Sequence, residues 1–263
     1  MNDQVDIIVP SYLNEEFTTA CFRSIRQNTD PCSYRIIWMD NGCDNPAAVL
    51  AELAGLEYIH IPFASNQGFV AAVNEGLRIS DGKMVCLLNN DTLVSPCWLE
   101  KLKASLSSNH SLGIVGPLTD YQKGPVVQPY MDSHHSLTLH NSLLPPEAKG
   151  WDLEKINYEL ERRYSGRTAP ISFVAFLCAV IKREVMDAIG FLDPNYAMGL
   201  YDDNDYNIAA RRAGFRCELA LDTCIYHRGR ATFKIVEERD GLNVRQLLAR
   251  NRAYMDNKWK GKQ

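Results

Sequence analysis

Residues 84–102 read MVCLLNNDTLVSPCWLEKL, and this stretch holds the pattern that decides the fold. Its apolar run, Met84–Leu88, predicts a buried β-strand, and the side chains at 89–91 are all amides or carboxylates. An amphipathic helix opens at Ser95-Pro96, because Ser suits the N-cap and Pro loses no useful donor at the first helical position. A buried strand, a polar turn and a helix in this order are the repeating unit of an α/β fold.

The same unit recurs on both sides of this stretch. Further strands are predicted at Val5–Val9, Arg35–Met39, Tyr58–Ile61 and Leu112–Val115. Helices are predicted at Glu15–Asn28, at Pro46–Ala54 and around Phe69, Val73 and Leu77. Strands that alternate with helices form right-handed crossovers and a mainly parallel sheet with helices on both faces. The sequence therefore predicts an α/β protein, a three-layer α/β/α sandwich around a mainly parallel central sheet.

The chain is expected to be one domain with an interruption. Residues 1–117 carry the regular alternation, and 118–170 break it with frequent Pro, His and Ser and one helical stretch, Trp151–Tyr164. We interpret 118–170 as an insertion or lid, because it lacks its own run of core residues. The alternation resumes in 171–263. There the predicted elements are a strand Ile171–Ile181, helices Arg183–Ile189 and Asp203–Ala213, a strand Cys217–Leu221 and a docked tail helix Gly241–Trp259.

Composition sets the broad class of protein. The 263 residues are 46% hydrophobic and 23% charged, which is typical of a globular chain. With 28 Lys and Arg against 32 Asp and Glu, the net charge is −4, so no general nucleic-acid binder is expected. The eight Cys residues form no C-x-x-C pair, and we expect reduced thiols. No window is apolar enough for a membrane span, so we expect a soluble, cytoplasmic protein, with peripheral membrane contact left open.

Three common motifs of nucleotide-binding proteins and hydrolases are missing. No G-x-G-x-x-G follows the first strand, and neither G-x-x-x-x-G-K-[ST] nor G-x-S-x-G occurs anywhere. These absences count against a dinucleotide-dependent dehydrogenase, a P-loop NTPase and an α/β-hydrolase.

Polar side chains stand where predicted parallel strands end. Asp40 follows the second strand, and Asn89, Asn90 and Asp91 follow the fourth. In open α/β sheets ligands bind beyond the carboxyl ends of the strands, so these side chains are candidate ligand contacts. A carboxylate at Asp91 suits a hard divalent cation that holds phosphate oxygens. The alternative for both acids is a turn in which an Asx side chain bonds its own backbone.

The order of these motifs resembles that of family 2 glycosyltransferases, including rhamnosyltransferase-like members. The stretches that carry the resemblance in the first half are VDIIVPSY at 5–12, DNG at 40–42, NQGF at 66–69 with Asn74, and LLNNDT at 87–92. In the second half they are RE at 183–184, GFLD at 190–193, YDDND at 201–205, His227 and the tail from Asn251 to Trp259. The resemblance covers nearly the whole chain apart from the insertion. It implies the glycosyltransferase A fold and an inverting reaction on a nucleotide-sugar donor.

The resemblance also implies which residues bind the donor. Pro10 and Tyr12 would flank the nucleoside, and Asp40 would bond the uracil or thymine edge. The other implied donor-binding residues are Asn66 and Gly68, near the ribose and diphosphate, with Asn74, Asn89, Asn90 and Asp202. Asp91 and His227 would hold Mn²⁺ or Mg²⁺, since a carboxylate and a neutral imidazole suit either ion. The alternative for His227 is a hydrogen-bonded core histidine.

Asp203 resembles the catalytic base of the family. An inverting transfer needs a carboxylate that takes the proton of the attacking hydroxyl, while the metal neutralises charge on the leaving phosphate. Asp202 and Asp205 place like charge beside Asp203, which raises its proton affinity. The alternative is that acids at this helix start only cap the helix, and for Asp205 that is our interpretation.

Three residues depart from the family pattern. Asn89 stands where the first acid of an Asp-x-Asp element is usual, so the expected ribose contact is altered. Asp202 shortens the usual Glu beside the base. Phe176 stands where Gly is frequent, and we expect its bulky ring near the sugar pocket.

We therefore expect a metal-dependent, inverting transferase. It would move a hexose or deoxyhexose from a UDP- or dTDP-sugar to a hydroxyl of a glycan or lipid-linked glycan. One alternative is a non-catalytic nucleotide- or sugar-binding module of the same fold. Another is a sugar nucleotidyltransferase, which is disfavoured because no Gly-rich, Lys/Arg-bearing phosphate loop follows Val9.

Overall fold

A computed structural model describes residues 4–120, 125–126, 143–144, 151–229 and 231–261 of the chain. The strands are β1 (Val5–Ser11), β2 (Tyr34–Asp40), β3 (Tyr58–Pro62), β4 (Met84–Leu88), β5 (Thr92–Leu93), β6 (Leu112–Asp120), β7 (Pro125–Val126), β8 (Thr168–Pro170), β9 (Cys178–Lys182) and β10 (Arg216–His227). The helices are α1 (Glu15–Asn28), α2 (Pro46–Leu53), α3 (Phe69–Ile79), α4 (Trp98–Ser108), α5 (Leu153–Tyr164), α6 (Arg183–Ile189), α7 (Asp202–Arg212), α8 (Ala231–Asp240) and α9 (Val244–Trp259).

The strands form one sheet in the order β3-β2-β1-β4-β9-β6-β10-β5, with β7 on β6 and β8 on β10. β1 is parallel to β2 and β4, β2 is parallel to β3, and β6 is parallel to β10. β9 runs antiparallel to both β4 and β6, so the two parallel groups point the same way. The mainly parallel α/β sheet that the sequence predicts is confirmed. Its carboxyl-terminal edge is where β1, β2, β4 and β10 end.

Helices cover both faces of this sheet because successive strand residues point to opposite faces. On one face Ile7 and Ile36 are buried with α1, α2 and α4. On the other face Ile8 and Ile37 are buried with α3, α6 and α7. The structure is therefore the three-layer α/β/α sandwich that the alternation of strands and helices predicts.

The described part of the insertion packs on β10. Ile156 and Leu160 of α5 are buried together with Leu219 of the strand. The Asn157 side chain also donates to the Cys224 carbonyl at 2.8 Å and accepts from the Cys224 N–H at 2.7 Å. The segment adds buried residues to a cluster shared with β10, because one face of α5 is apolar and extends the core of the sheet.

Element bounds differ from the predictions mainly after residue 170. The predicted strand Ile171–Ile181 is a strand only from Cys178, since its first residues form a loop tied to other elements: the Asn207 side chain accepts from the Val174 N–H at 3.0 Å. β10 continues past Leu221 to His227 through a register shift against β6. α8 was not predicted, because its apolar residues show no clear helical periodicity.

All eight cysteines are free thiols in the structure, as their spacing led us to expect. Within the described ranges, no helix combines the length and the apolar character needed to cross a membrane.

Candidate active site

A carboxylate and an imidazole meet where β4 and β10 end. Asp91 lies in the turn after β4, and His227 is the last residue of β10, opposite Thr92 of the short strand β5. The Asp91 Oδ1 and His227 Nε2 atoms are 3.1 Å apart, and both side chains are largely buried. Asp91 Oδ2 accepts from the Gly229 N–H at 3.1 Å, which fixes the carboxylate. The structure thus brings together the two residues that the resemblance implies as metal ligands.

The spacing of these two atoms fits a divalent cation. Neighbouring ligands of an octahedral ion at about 2.1 Å are separated by roughly 3.0 Å, close to the 3.1 Å between Asp91 Oδ1 and His227 Nε2. In the described residues no group of three or more His, Cys, Asp or Glu could hold an ion. Water and the oxygens of an anionic substrate are among the groups that complete the coordination of such an ion.

The rest of the turn after β4 is held by backbone and side-chain hydrogen bonds. The buried Asn90 side chain donates to Thr18 Oγ1 of α1 at 2.9 Å. The Asn89 N–H donates to the Leu177 carbonyl at 2.8 Å, and Thr92 Oγ1 donates to the Asn89 carbonyl at 2.7 Å. Asn90 therefore anchors the turn to α1, and the half-buried Asn89 side chain is the one placed closer to solvent.

Asp40, at the end of β2, is engaged on both carboxylate oxygens. Its Oδ1 accepts from the N–H groups of Gly42 at 3.0 Å and Cys43 at 2.8 Å, which is the turn interpretation of this residue. Its Oδ2 is 3.0 Å from Nε2 of His60. The His60 ring stacks on Trp38, with centroids 4.1 Å apart. Sequence reasoning missed His60, although the parallel pairing of β2 and β3 places it directly beside Trp38.

Hydrogen bonds within the protein hold the loop before α3 in its conformation. Asn66 Oδ1 accepts from the Gly68 N–H at 2.9 Å, and Asn41 Oδ1 accepts from the Gln67 N–H at 3.0 Å. Gly68 has φ +86°, and a Cβ there would lie 2.8 Å from the Ala197 carbonyl oxygen. The need for Gly at this position therefore already follows from the approach of the 197 backbone, without any ligand.

Asn74 and Pro10 are both held by contacts within the protein. The Asn74 side chain donates to the Leu192 carbonyl at 2.8 Å and accepts from the Leu192 N–H at 2.9 Å, so its amide is used within the protein. Pro10 is buried within β1 beside Met39 of β2. Both side chains are therefore engaged in packing around the site.

Tyr12 lies at the carboxyl end of β1 and links it to α8. Its hydroxyl donates to Asp240 Oδ1 at 3.0 Å, and a Cβ added at Gly42 would lie 3.5 Å from its ring. Burial and the nearby Asp240 carboxylate raise the pKa of Tyr12 above its ordinary value. Arg239 of α8 also lies 3.6 Å from Asp44. α8 therefore borders the strand ends that the resemblance assigns to the nucleoside.

A cluster of acids opens α7. Asp202 is buried, and burial together with the neighbouring Asp203 raises its pKa well above the ordinary value. Asp203 is half-buried, and burial raises its pKa to about 6. Asp205 instead bonds Lys258 Nζ and the Trp259 indole N–H, each at 2.7 Å, so it ties α7 to α9 and does not cap the helix as we expected.

The segment 176–177 connects the acidic helix start to the turn after β4. The Phe176 N–H bonds the Asp203 carboxylate, and the Leu177 carbonyl accepts from Asn89. The Phe176 ring is 3% exposed and packs edge-on against Tyr206 at 5.7 Å. The loop turns this ring into the core, while its backbone lies beside Asp203, so the expectation that Phe176 lies near the sugar pocket stays a prediction.

Solved structures share this architecture. GalNAc-T7 with UDP, GalNAc and Mn²⁺ matches with a TM-score of 0.63 at 13% identity, over 86% of this chain and 43% of that chain. The mannosyltransferase PcManGT from Pyrobaculum calidifontis, in complex with GDP-Man and Mn²⁺, matches with a TM-score of 0.61 at 17% identity, over 89% of this chain and 61% of that chain. At these identities the likeness shows the fold. The protein has the glycosyltransferase A fold.

The sequence identifies the family to which this chain belongs within the glycosyltransferase A fold. The family model described as glycosyl transferase family 2 matches residues 6–190. The chain belongs to glycosyl transferase family 2, as its motifs led us to expect.

Curated relatives match the chain over parts of their own length. An uncharacterised protein of Sinorhizobium fredii is 26% identical over 276 residues, covering 97% of this chain and 27% of the relative. Glycosyltransferase AglE of Haloferax volcanii is 25% identical over 145 residues, covering 53% of this chain and 47% of the relative. The chain thus spans less than half the length of either relative.

Proposed function

We propose that this chain is a metal-dependent, inverting glycosyltransferase. The observation that carries the proposal is the Asp91–His227 pair at the carboxyl-terminal edge of the sheet, connected to the Asp203 carboxylate through the backbone of 176–177. Transfer from a nucleotide-sugar needs positive charge at the leaving diphosphate and a proton acceptor at the attacking hydroxyl. Family membership supports the assignment of Asp91 and His227 to the diphosphate and of Asp203 to the attacking hydroxyl.

Asp91 and His227 would hold Mn²⁺ or Mg²⁺ in this proposal. The bound ion supplies positive charge that stabilises the leaving nucleoside diphosphate. Mn²⁺ is supported by the two solved structures of the same fold that contain it. The Gly229 N–H on Asp91 keeps the second carboxylate oxygen in place, so the ligand pair is preorganised.

Asp203 would accept the proton of the acceptor hydroxyl. The hydroxyl oxygen attacks the anomeric carbon from the side opposite the diphosphate, the bond to the phosphate oxygen breaks, and the configuration inverts. A base works best with a pKa near the operating pH, and burial has already raised the pKa of Asp203 to about 6. Burial and the neighbouring Asp203 also raise the pKa of Asp202 well above its ordinary value.

The donor we propose is a UDP- or dTDP-linked hexose or deoxyhexose. Its nucleoside would lie at the ends of β1 and β2, between Tyr12 and Asp40, with the loop of Asn66 and Gly68 beside the diphosphate. The hydrogen bond from His60 to Asp40 supports a fixed carboxylate at the base-recognition position. The acceptor would be a hydroxyl of a glycan or a lipid-linked glycan.

Turnover is expected to fall as pH drops through about 6. Only ionised Asp203 can accept a proton, and its raised pKa puts half-protonation at about pH 6. Below that value kcat should decrease about tenfold per pH unit, as for any single essential base. Release of the nucleoside diphosphate, measured from pH 4.5 to 8, checks this. A profile that stays flat down to pH 4.5 would contradict the role of Asp203.

A panel of nucleotide-sugars screened by thermal shift, with Mn²⁺ or with EDTA, tests the function itself. A bound donor at about 100 times its Kd should raise Tm by roughly 5–10 °C in a chain of this size, and only with the metal. The same mixtures are then assayed for release of the nucleoside diphosphate. A shift without release for any donor and acceptor would favour a binding module. Pyrophosphate release from a nucleoside triphosphate and a sugar phosphate would favour a nucleotidyltransferase.

A further inference from the structure

Asn251 of α9 is buried against the backbone that leads into α7. Its side chain has 0% exposure. The Nδ2 group donates to the carbonyl oxygens of Gly199 at 2.8 Å, Leu200 at 3.0 Å and Tyr196 at 3.3 Å. One amide group thus holds together a set of backbone acceptors from a single short segment, 196–200.

This segment has an unfavourable backbone conformation. Ala197, Leu200 and Tyr201 all have positive φ, at 48°, 71° and 69°, in addition to Gly199 at 96°. Non-Gly residues in this region persist only where the surroundings hold them there. Removing the amide would also take a donor from the carbonyls of Gly199 and Leu200, whereas the Tyr196 carbonyl keeps the Gly199 N–H at 3.0 Å. Asn251 is therefore one of the contacts that hold 196–201 in this conformation, and it is the side chain that binds three of its carbonyls.

The segment joins the two halves of the site. The Ala197 carbonyl accepts from the Val70 N–H at 3.0 Å, at the start of α3. Immediately after Tyr201, α7 begins with Asp202 and Asp203. The backbone of this segment fixes where α7 begins and so carries Asp203, whose carboxylate also accepts from the N–H groups of Phe176 and Asn204.

α9 also contacts the first turn of α7 and the turn before it through ion pairs. Lys258 Nζ lies 2.7 Å from both Asp205 and Asp193, and this contact with Lys258 holds the pKa of Asp193 down to about 2. Tyr254 also donates to Asp193 at 2.9 Å. These ion pairs anchor α9 beside α7, in addition to the Asn251 contacts with 196–200.

We propose that Asn251 is a positioning residue for the base, holding the strained 196–201 backbone so that Asp203 points at the acceptor hydroxyl. The inference rests on the proposed function, because the position of Asp203 affects turnover only if Asp203 acts as the base. A displacement of about 1 Å at a reacting group can lower the rate by roughly a hundredfold. A base held by a strained backbone is sensitive to such a displacement, because release of the strain moves it.

The test compares Asn251→Ala with Asn243→Ala. Asn243 is the N-cap of the same helix and accepts from the Gln246 N–H at 3.0 Å, so its removal weakens α9 without touching 196–201. Asn251→Ala should lower kcat by about tenfold to a hundredfold, with the donor KM within about threefold of the native value. Asn243→Ala should keep kcat within about twofold. Asn251→Ser, which keeps one donor, should recover part of the loss.

The pH profile separates positioning from general destabilisation. Asp202 is a titratable neighbour of Asp203, and Asp205, Asp193 and Lys258 form an ion-pair cluster on the same helix start and on α9. The Asn251 substitution changes none of these groups. Loosening the segment exposes Asp203 to water, which lowers its pKa. The acid limb of the kcat profile should therefore shift to lower pH in Asn251→Ala and stay in place in Asn243→Ala. Equal profiles and equal kcat losses in the two variants would overturn the proposal.

Hydrogen exchange of the backbone amides at 197–205 tests the same point without a substrate. Faster exchange there in Asn251→Ala than in Asn243→Ala supports the positioning role, and equal exchange in the two variants overturns it. If the native protein releases no nucleoside diphosphate from any donor, the proposed function fails. The exchange result still decides whether Asn251 holds the segment.

Discussion

Asp203→Asn is expected to lower the turnover number by about 10²–10⁴-fold, because the amide cannot accept the proton of the attacking hydroxyl. Binding of the nucleoside diphosphate with Mn²⁺ should stay within about threefold, since the metal ligands Asp91 and His227 are untouched. The measurement is steady-state release of the nucleoside diphosphate, combined with calorimetric titration of the nucleotide. Turnover within a few-fold of the native value would show that another group acts as the base.

The stability of the same variant separates chemistry from folding. The folded state raises the pKa of Asp203 to about 6, so the ionised carboxylate disfavours folding at pH values above the ordinary pKa of an Asp. A neutral Asn removes this penalty, and the Tm at pH 7 should not fall. Asp256→Asn is the matched control, because its side chain is 63% exposed and makes only a surface ion pair with Arg252. It should leave turnover and Tm unchanged.

Asp91→Asn is expected to abolish the metal dependence of nucleotide binding and to lower turnover by roughly 10²–10³-fold. The charge of the carboxylate holds the ion, and loss of the several kcal/mol that the ion gives the leaving phosphate corresponds to that factor. The amide oxygen can still accept from the Gly229 N–H, so the turn after β4 is preserved. Nucleotide titrations with Mn²⁺ and with EDTA measure the effect.

His227→Ala provides the second half of this experiment. It removes the other proposed ligand from the opposite strand, β10, and should reduce the metal dependence in the same direction as Asp91→Asn. If the Mn²⁺ response survives in both variants, the metal is held elsewhere or is not used. If it survives only in His227→Ala, the imidazole is a structural partner of Asp91.

Local sequence patterns predicted the elements correctly where the spacing of apolar residues is regular. The bounds of Glu15–Asn28, Met84–Leu88 and Arg183–Ile189 were predicted as the structure has them. The apolar spacing that indicates these elements depends only on neighbours in the chain. The predictions were wrong where other elements override the local signal, as in the 171–177 loop.

The site was predicted only in part, for the same reason. Acids and amides at strand ends predicted the edge at which Asp91 and His227 meet, and the family resemblance supplied roles for Asp91, His227 and Asp203 that stay predictions. His60 and Asn251 carry no local signal, because an imidazole in a strand and an amide in a helix look alike whether they are exposed or buried. Their positions follow from the pairing of β2 with β3 and from the docking of α9 on α7.

The order of apolar runs and polar turns by itself determined the α/β architecture with helices on both faces of the sheet, because this depends on periodicity along the chain. It also placed the polar turns at the carboxyl-terminal edge, where we expect the ligand. Only the tertiary structure decided that Asp91 faces His227, that Asp40 is held by His60, that the Phe176 ring is in the core and that Asn251 holds the approach to Asp203. Each of these contacts joins residues from different elements, and the packing of those elements sets which side chains meet.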